Sequence, residues 1–181
     1  LNTSTTYTGD VTISKNINLD CAGATVTGTS DVIYATGNYN INISNCVIDG
    51  QDSASTGITF YDDVNYNYPG HINNNTVYDV TSNAIYLSYH IKNTNISHNT
   101  VYGYTSSGIY LNSHADNNNI THNNITGGQY GIRFSFSDDG LLDHNNITDA
   151  TINGMSFTYS EDNVVTNNRV SGASYGIRGS Y

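Results

Sequence analysis

The sequence predicts an all-β fold, wound as a solenoid of short parallel strands. Three observations carry this. The first is composition: 28 residues are asparagine and 16 are tyrosine, against one proline and one methionine. Helix formers are scarce, whereas Val, Ile, Thr and Tyr, which suit a pleated surface, are plentiful. The second is a recurring phrase: aliphatic, any residue, His or Asn, Asn, any residue, aliphatic. It appears at Ile72–Val77, Ile96–Val101, Ile120–Ile125, Leu142–Ile147 and Val165–Val170, stepping by 24, 24, 22 and 23 residues. An earlier copy, Ile43–Ile48, carries Cys46 in the asparagine slot. The third is a phrase of small residue, Ile, any residue, apolar at the same period. Its copies are Gly57–Phe60, Ala84–Leu87, Gly108–Leu111, Gly131–Phe134, Gly154–Phe157 and Gly176–Gly179, with Val32–Ala35 a looser first copy.

Each period therefore holds three short stretches with alternation of period 2. The first is the Ile-x-Leu strand. The second ends at the aliphatic before Asn-Asn. The third starts at the next aliphatic and ends in Gly or Asp. This is one rung of a parallel β-helix, and the chain holds about seven rungs of 22–30 residues in a single domain over 1–181. A leucine-rich repeat has a similar period but needs a run of leucines that is missing here. A sandwich would need hairpins and would not keep register for seven copies. Rungs stack about 4.8 Å apart, so Ile58, Ile85, Ile109, Ile132, Met155 and Ile177 line up as an apolar spine. No rung buries its apolar face alone, and stability comes from its neighbours. A thin coil has a narrow core, which accounts for a hydrophobic share of only 36%.

The balance of charge narrows the partners. Five Lys and Arg against 15 Asp and Glu give a net charge of −10, which argues against nucleic acid. No apolar run is long enough to span a bilayer as a helix. The chain begins at Leu1 and not at Met, as after removal of a signal segment or in an excised domain.

The column Asn75, Asn99, Asn123, Asn145 and Asn168 falls at the bend between the second and third strands. Asparagine tolerates a left-handed backbone there, and its amide, turned inward, can donate to its equivalent one rung away. A structural ladder is the expectation, with ligand binding as the other reading. These Asn-Asn-x-Ile phrases resemble the right-handed parallel β-helix repeat family, including its periplasmic copper-protein-like members and archaeal cell-surface proteins. Ile17–Gly23 and Ile43–Ile48 particularly resemble methanogen surface proteins. The resemblance runs from about Val11 to Tyr181 and implies a right-handed coil. It is specific for fold and not for function, since such folds host lyases, hydrolases, adhesins and structural proteins.

Several constellations could carry chemistry. Counting seven residues past the Ile of the first strand gives Asp116, Asp139 and Asp162, expected to stack on successive rungs with Lys92 and Asn65 above. Stacked carboxylates repel unless protonated or bridged, so calcium is the candidate metal; a solvated turn is the competing reading. No other cofactor is expected. Asp138-Asp139-Gly140 resembles the paired aspartates of pectin-degrading β-helix enzymes. The Asn-Thr-Asp, Gly-His-Gly and Arg-Ile-Lys motifs of those enzymes are absent, and no catalytic residue is assigned. His98, His122 and His144 form one column, and His90 and His114 another. The first also holds Asn45, Asn74 and Asn167, so a polar turn former competes with metal binding. Cys21 and Cys46 lie one rung apart, near the disulfide window. An intrachain bridge, stacked thiols and an interchain bridge are all open. Tyr34, Tyr86 and Tyr110 fall in the outward slot of the first strand, and Tyr78 and Tyr102 in that of the third. They suit sugar or protein contact, or simply strand propensity. The segment 61–70 makes one rung longer and is expected to protrude. Asn-x-Ser/Thr sites at Asn2, Asn42, Asn74, Asn95, Asn119, Asn124 and Asn146 permit glycosylation outside a cell.

No cap is evident at either end. Leu1 to Gly9, with Tyr7 at the aliphatic slot, reads as a second and third strand, and Ile177 to Tyr181 as a first strand. One end would complete a rung with the other, and such a heterologous contact builds rings or filaments. The expectation is an extracellular, cell-surface structural protein that is not an enzyme and binds copies of itself head to tail in a sheath, filament or surface layer. Surface glycans are a second class of partner. The alternative is a carbohydrate-binding or polysaccharide-active module of a cell-surface protein.

Overall fold

The structure, a computed structural model, describes residues 1, 5–37, 40–62 and 69–181. The chain is a right-handed β-solenoid of about seven turns, with three strands per rung and no helix among the described residues. Among the described residues there is therefore no helix long and apolar enough to cross a membrane. The first sheet has eight strands, from Val11–Ile13 to Tyr175–Ser180. The second has seven, from Ile17–Asp20 to Val164–Thr166, and the third eight, from Thr6–Thr8 to Arg169–Ser171. All pairings are parallel and join equivalent strands of successive rungs, as in Ile85↔Ile109 and Ile109↔Ile132. The second strands run one residue beyond the aliphatic, to Ser97, Thr121 and Asp143.

The inward columns are the core. Ile58, Ile85, Ile109, Ile132 and Met155 are fully buried, as are Ile72, Ile96, Ile120 and Leu142 of the second sheet. The glycine before the Ile has a steric cause at Gly57, Gly108 and Gly131. A Cβ at Gly131 would stand 2.4 Å from Ile147 Cγ2 and 2.6 Å from the Gly154 carbonyl oxygen. The corner between the third and first sheets is thus closed by the aliphatic of one strand against the backbone of the next.

The asparagine column turns inward. Asn123 Oδ1 accepts both the backbone N–H of Asn99, at 2.9 Å, and its side-chain amide, at 3.0 Å. The same double acceptance joins Asn75 to Asn99, Asn123 to Asn145, and Asn145 to Asn168. Each Nδ2 also donates to a second-strand carbonyl, such as Asn123 to Ile96 at 2.9 Å. The left-handed residue is not this asparagine but the one before it, which corrects the expectation. Asn45, Asn74, His98, His122, His144 and Asn167 all have φ between 52° and 57°. The bend therefore divides two jobs between adjacent residues: one reverses the backbone and the next is freed to point into the core.

Asn123→Ala should leave the buried Asn99 backbone N–H without its acceptor and take one donor from the Ile96 carbonyl, at a cost of about 3 kcal/mol. Asn124→Ala, on the outward side, should cost less than about 0.5 kcal/mol. Chemical denaturation of the two variants checks the contrast.

Candidate functional site

The chemistry-bearing side chains lie on the outward columns and at the bends. Their positions follow from how many residues each bend contains. In the rungs of Ile85 and Ile109, the bend after the first strand carries two consecutive left-handed residues, Tyr89-His90 and Ser113-His114. In the next two rungs it carries one, Phe136 and Tyr159. The loss of one residue shifts every later position. Asp116 therefore aligns with Asp138 and Glu161, while Asp139 and Asp162 align with Asn117 at the following left-handed corner (φ 53° to 57°). The expected column of Asp116, Asp139 and Asp162 does not form, because a fixed count from the Ile ignores the shorter bend. Asp116 is instead engaged twice: Lys92 Nζ lies 3.0 Å from one oxygen, and the other accepts the Asp138 N–H at 3.0 Å. Asp138 in turn accepts the Glu161 N–H at 2.7 Å. Among the described residues no three His, Cys, Asp or Glu side chains are grouped to hold a metal ion. Asn65 lies outside the described residues, as do Asn2 and positions 63–68 of the long rung.

The histidines stack on one another. His98 and His122, and His122 and His144, have centroids 5.0 Å apart and planes within 7° of parallel; His90 and His114 stand 5.4 Å apart. Lone pairs in the planes of parallel rings run side by side and do not converge on an ion. His144 Nδ1 lies 2.7 Å from Asp143, which also accepts from Thr166 and Asn167. These bonds, that of His144 foremost, hold the Asp143 carboxyl down at about 2.

Cys21 and Cys46 are joined by a disulfide, with Cα atoms 4.8 Å apart. Cys46 takes the ladder slot of its rung and donates its N–H to Asn75 Oδ1 at 2.9 Å, so the bridge continues the ladder where asparagine stops. Tyr86 and Tyr110 stack at 5.2 Å, as do Tyr78 and Tyr102. Tyr34 instead meets Tyr61 at 6.3 Å, since Thr59 separates it from Tyr86. Stacking consumes ring faces and leaves mainly edges and hydroxyls to solvent. At the ends, Ile177 is 58% exposed and Tyr181 88% exposed, Leu1 is also exposed, and Tyr7 packs against the core in line with Val26.

Some features are not marked by the repeat phrases. A second amide column sits at the bend into the second strand. Asn118 Oδ1 accepts the Thr94 N–H at 2.7 Å, and Asn163 Oδ1 accepts that of Gly140 at 2.8 Å. Only two of its members are asparagine, so no phrase repeats. Tyr104 is buried at a corner and donates to the Gly127 carbonyl at 2.7 Å, and burial pushes its hydroxyl pKa up. Gly128 makes room for it: a Cβ there would stand 2.0 Å from the ring. Asp79 is pushed up by burial and then by Asp52 and Asp49, an acid cluster drawn together across rungs.

Two measurements follow. Reduction of the Cys21–Cys46 bridge reopens a loop of 25 residues and should lower stability by about 3 kcal/mol, seen as a lower melting temperature in dithiothreitol. The Asp143 pKa is depressed, so its contribution is present above about pH 4 and lost as pH falls through about 2. Asp143→Asn should melt below the parent at pH 6, with the gap narrowing from pH 4 and closing near pH 2.

Comparison with known proteins agrees with this architecture. No curated protein matches the sequence. Among solved structures, the chain is similar to the periplasmic alginate epimerase AlgG, with a TM-score of 0.67 at 14% identity. The match covers 87% of this chain and 44% of that protein, so this chain spans less than half the epimerase's length. At that identity the likeness concerns the fold. The family model described as right handed beta helix region matches residues 57–180, most of the chain. With its parallel three-sheet coil and inward amide ladder, the chain belongs to the right-handed β-helix family.

Proposed function

We propose that this chain is a structural module of an extracellular, cell-surface protein, a stiff rod whose rungs stack end to end into a sheath, filament or surface layer. One observation carries the reading: side chains that could act on a substrate are spent on their counterparts along the axis. Imidazoles stack on imidazoles, tyrosines on tyrosines, and Asp116 and Asp138 accept backbone N–H groups of the next rung. Such columns stiffen a rod. In this reading, end-to-end stacking would lay a further rung of the same register over Ile177, as successive rungs lie over its buried equivalents. A second copy would supply such a rung by laying its first-sheet strand Val11–Ile13 over Tyr175–Ser180 and its strand around Tyr7 over Arg169–Ser171.

The second reading is a carbohydrate-binding or polysaccharide-active module. It is supported by the fold shared with a periplasmic alginate epimerase and by the outward tyrosines of the first sheet. Electron microscopy of the purified chain decides for assembly. Fibrils or sheets are expected, and Ile177→Lys should abolish them, because a buried lysine without a partner is costly. Monomers alone at high concentration would overturn the end-to-end reading. Loss of a sugar interaction or turnover in Tyr86→Ala or Asp139→Ala would replace it with the second.

A further inference from the structure

The outward face of the first sheet is neutral in its middle and oppositely charged at its ends. Three strands at one end, Val11–Ile13, Asp31–Thr36 and Thr56–Tyr61, carry no cation. Three at the other, Tyr130–Ser135, Asn153–Thr158 and Tyr175–Ser180, carry no acid. At the acidic end, Asp10 and Asp31 line a hollow with Thr12, Ser30 and Tyr34. Asp10 accepts the Thr29 and Ser30 N–H groups and Asp31 the Ser55 hydroxyl. Neither acid has a cation for a partner among the described residues.

At the basic end, Arg133 and Arg178 share one outward column, separated by Ser156. In a chain of net charge −10, neither makes an ion pair or hydrogen bond among the described residues, whereas Lys92 is held by Asp116. Arg133 lies 4.9 Å from the Tyr110 centroid and 5.0 Å from that of Tyr130, and Arg178 lies 5.1 Å from that of Tyr175. A guanidinium on an aromatic face keeps its N–H edge free for a carboxylate. Tyr130 and Tyr175 open their strands as Asp31 opens its own, so each arginine is drawn toward the column that holds Asp31. Between the two ends stand the stacked rings of Tyr86 and Tyr110.

This pattern is complementary to itself when reversed. A twofold axis along the strands, placed between Tyr86 and Tyr110, turns the coil end for end and keeps each outward column over itself. It lays the rung of Arg178 on that of Asp10, and the rung of Arg133 one step, about 4.8 Å, from that of Asp31. Parallel pairing of the same faces would set arginine against arginine and acid against acid. Eight strands about 4.8 Å apart, most of six residues, give each copy a face of about 650 Å². Two such faces exceed the roughly 1,000 Å² that a specific interface needs. We infer that the outward face of the first sheet is an antiparallel dimer interface. A second copy of this chain lies on it, with Arg133 and Arg178 of each copy against Asp31 and Asp10 of the other and the tyrosines packed between. The contact is isologous and closes on itself, so it is lateral and independent of end-to-end stacking.

Sedimentation velocity of the full chain carrying Ile177→Lys, which removes the end-to-end contact and leaves this face intact, tests it. A concentration-dependent dimer that loosens as salt rises is expected. In that background Arg133→Glu/Arg178→Glu should weaken dimerisation at least tenfold, and so should Asp31→Lys, with melting temperatures kept near the parent's. Each variant alone sets like charges against each other. An equimolar mixture of the two should recover a dimer, because every contact then joins opposite charges again. Only monomers at high concentration, a dimer undiminished in either variant, or two monomeric variants that stay apart when mixed would overturn the inference. Microscopy of the Arg133→Glu/Arg178→Glu chain with Ile177 intact reads end-to-end assembly separately, so failure of one reading is distinguishable from failure of the other.

Discussion

The double acceptance that joins successive ladder asparagines, from Asn75 to Asn168, is the interaction on which the rest depends. One Oδ1 takes both the backbone N–H and the side-chain amide of the previous rung, and the Nδ2 caps a strand carbonyl. These groups are buried, so a slipped rung would strand several polar atoms away from water. Apolar columns alone would tolerate small slips, whereas an amide ladder does not. With the rung spacing held, equivalent residues become nearest neighbours, and every outward column inherits that spacing.

That inheritance explains the low charge of the chain. A carboxylate repeated on every rung would face its own kind near 4.8 Å. The structure answers by giving acids other partners: Lys92 and a backbone amide for Asp116, another amide for Asp138, and His144 with Thr166 and Asn167 for Asp143. Rings, amides and hydroxyls repeat at that distance without penalty, which suits a surface of Asn, Tyr and Thr. Arg133 and Arg178 depart from this rule: they are lifted onto tyrosine faces and left unneutralised.

Much of this was legible in the residues. The Asn-Asn-x-Ile and Gly-Ile-x-apolar phrases mark two of the three strands directly, because buried positions recur wherever rungs stack. The bends were less legible. The ladder asparagine and the left-handed residue are adjacent and both polar, so composition could not say which one turned the chain. The acids were misaligned for a related reason: Tyr89-His90 and Phe136 fill the same bend with different numbers of residues. The second amide column, with Thr94 and Gly140 between its asparagines, repeats no phrase at all.

The sequence by itself determined the coil, its period, its spine and the column of inward asparagines. Those features follow from burial, and burial leaves a periodic mark on residue type. Only the tertiary structure decided which outward residues meet. The pairing of Asp116 with Asp138, the setting of Arg133 between Tyr110 and Tyr130, and the fit of Tyr104 over Gly128 depend on bend lengths and side-chain directions. Solvent-facing positions accept many residues, so a one-residue change in a bend moves them without disturbing the buried pattern that a sequence displays.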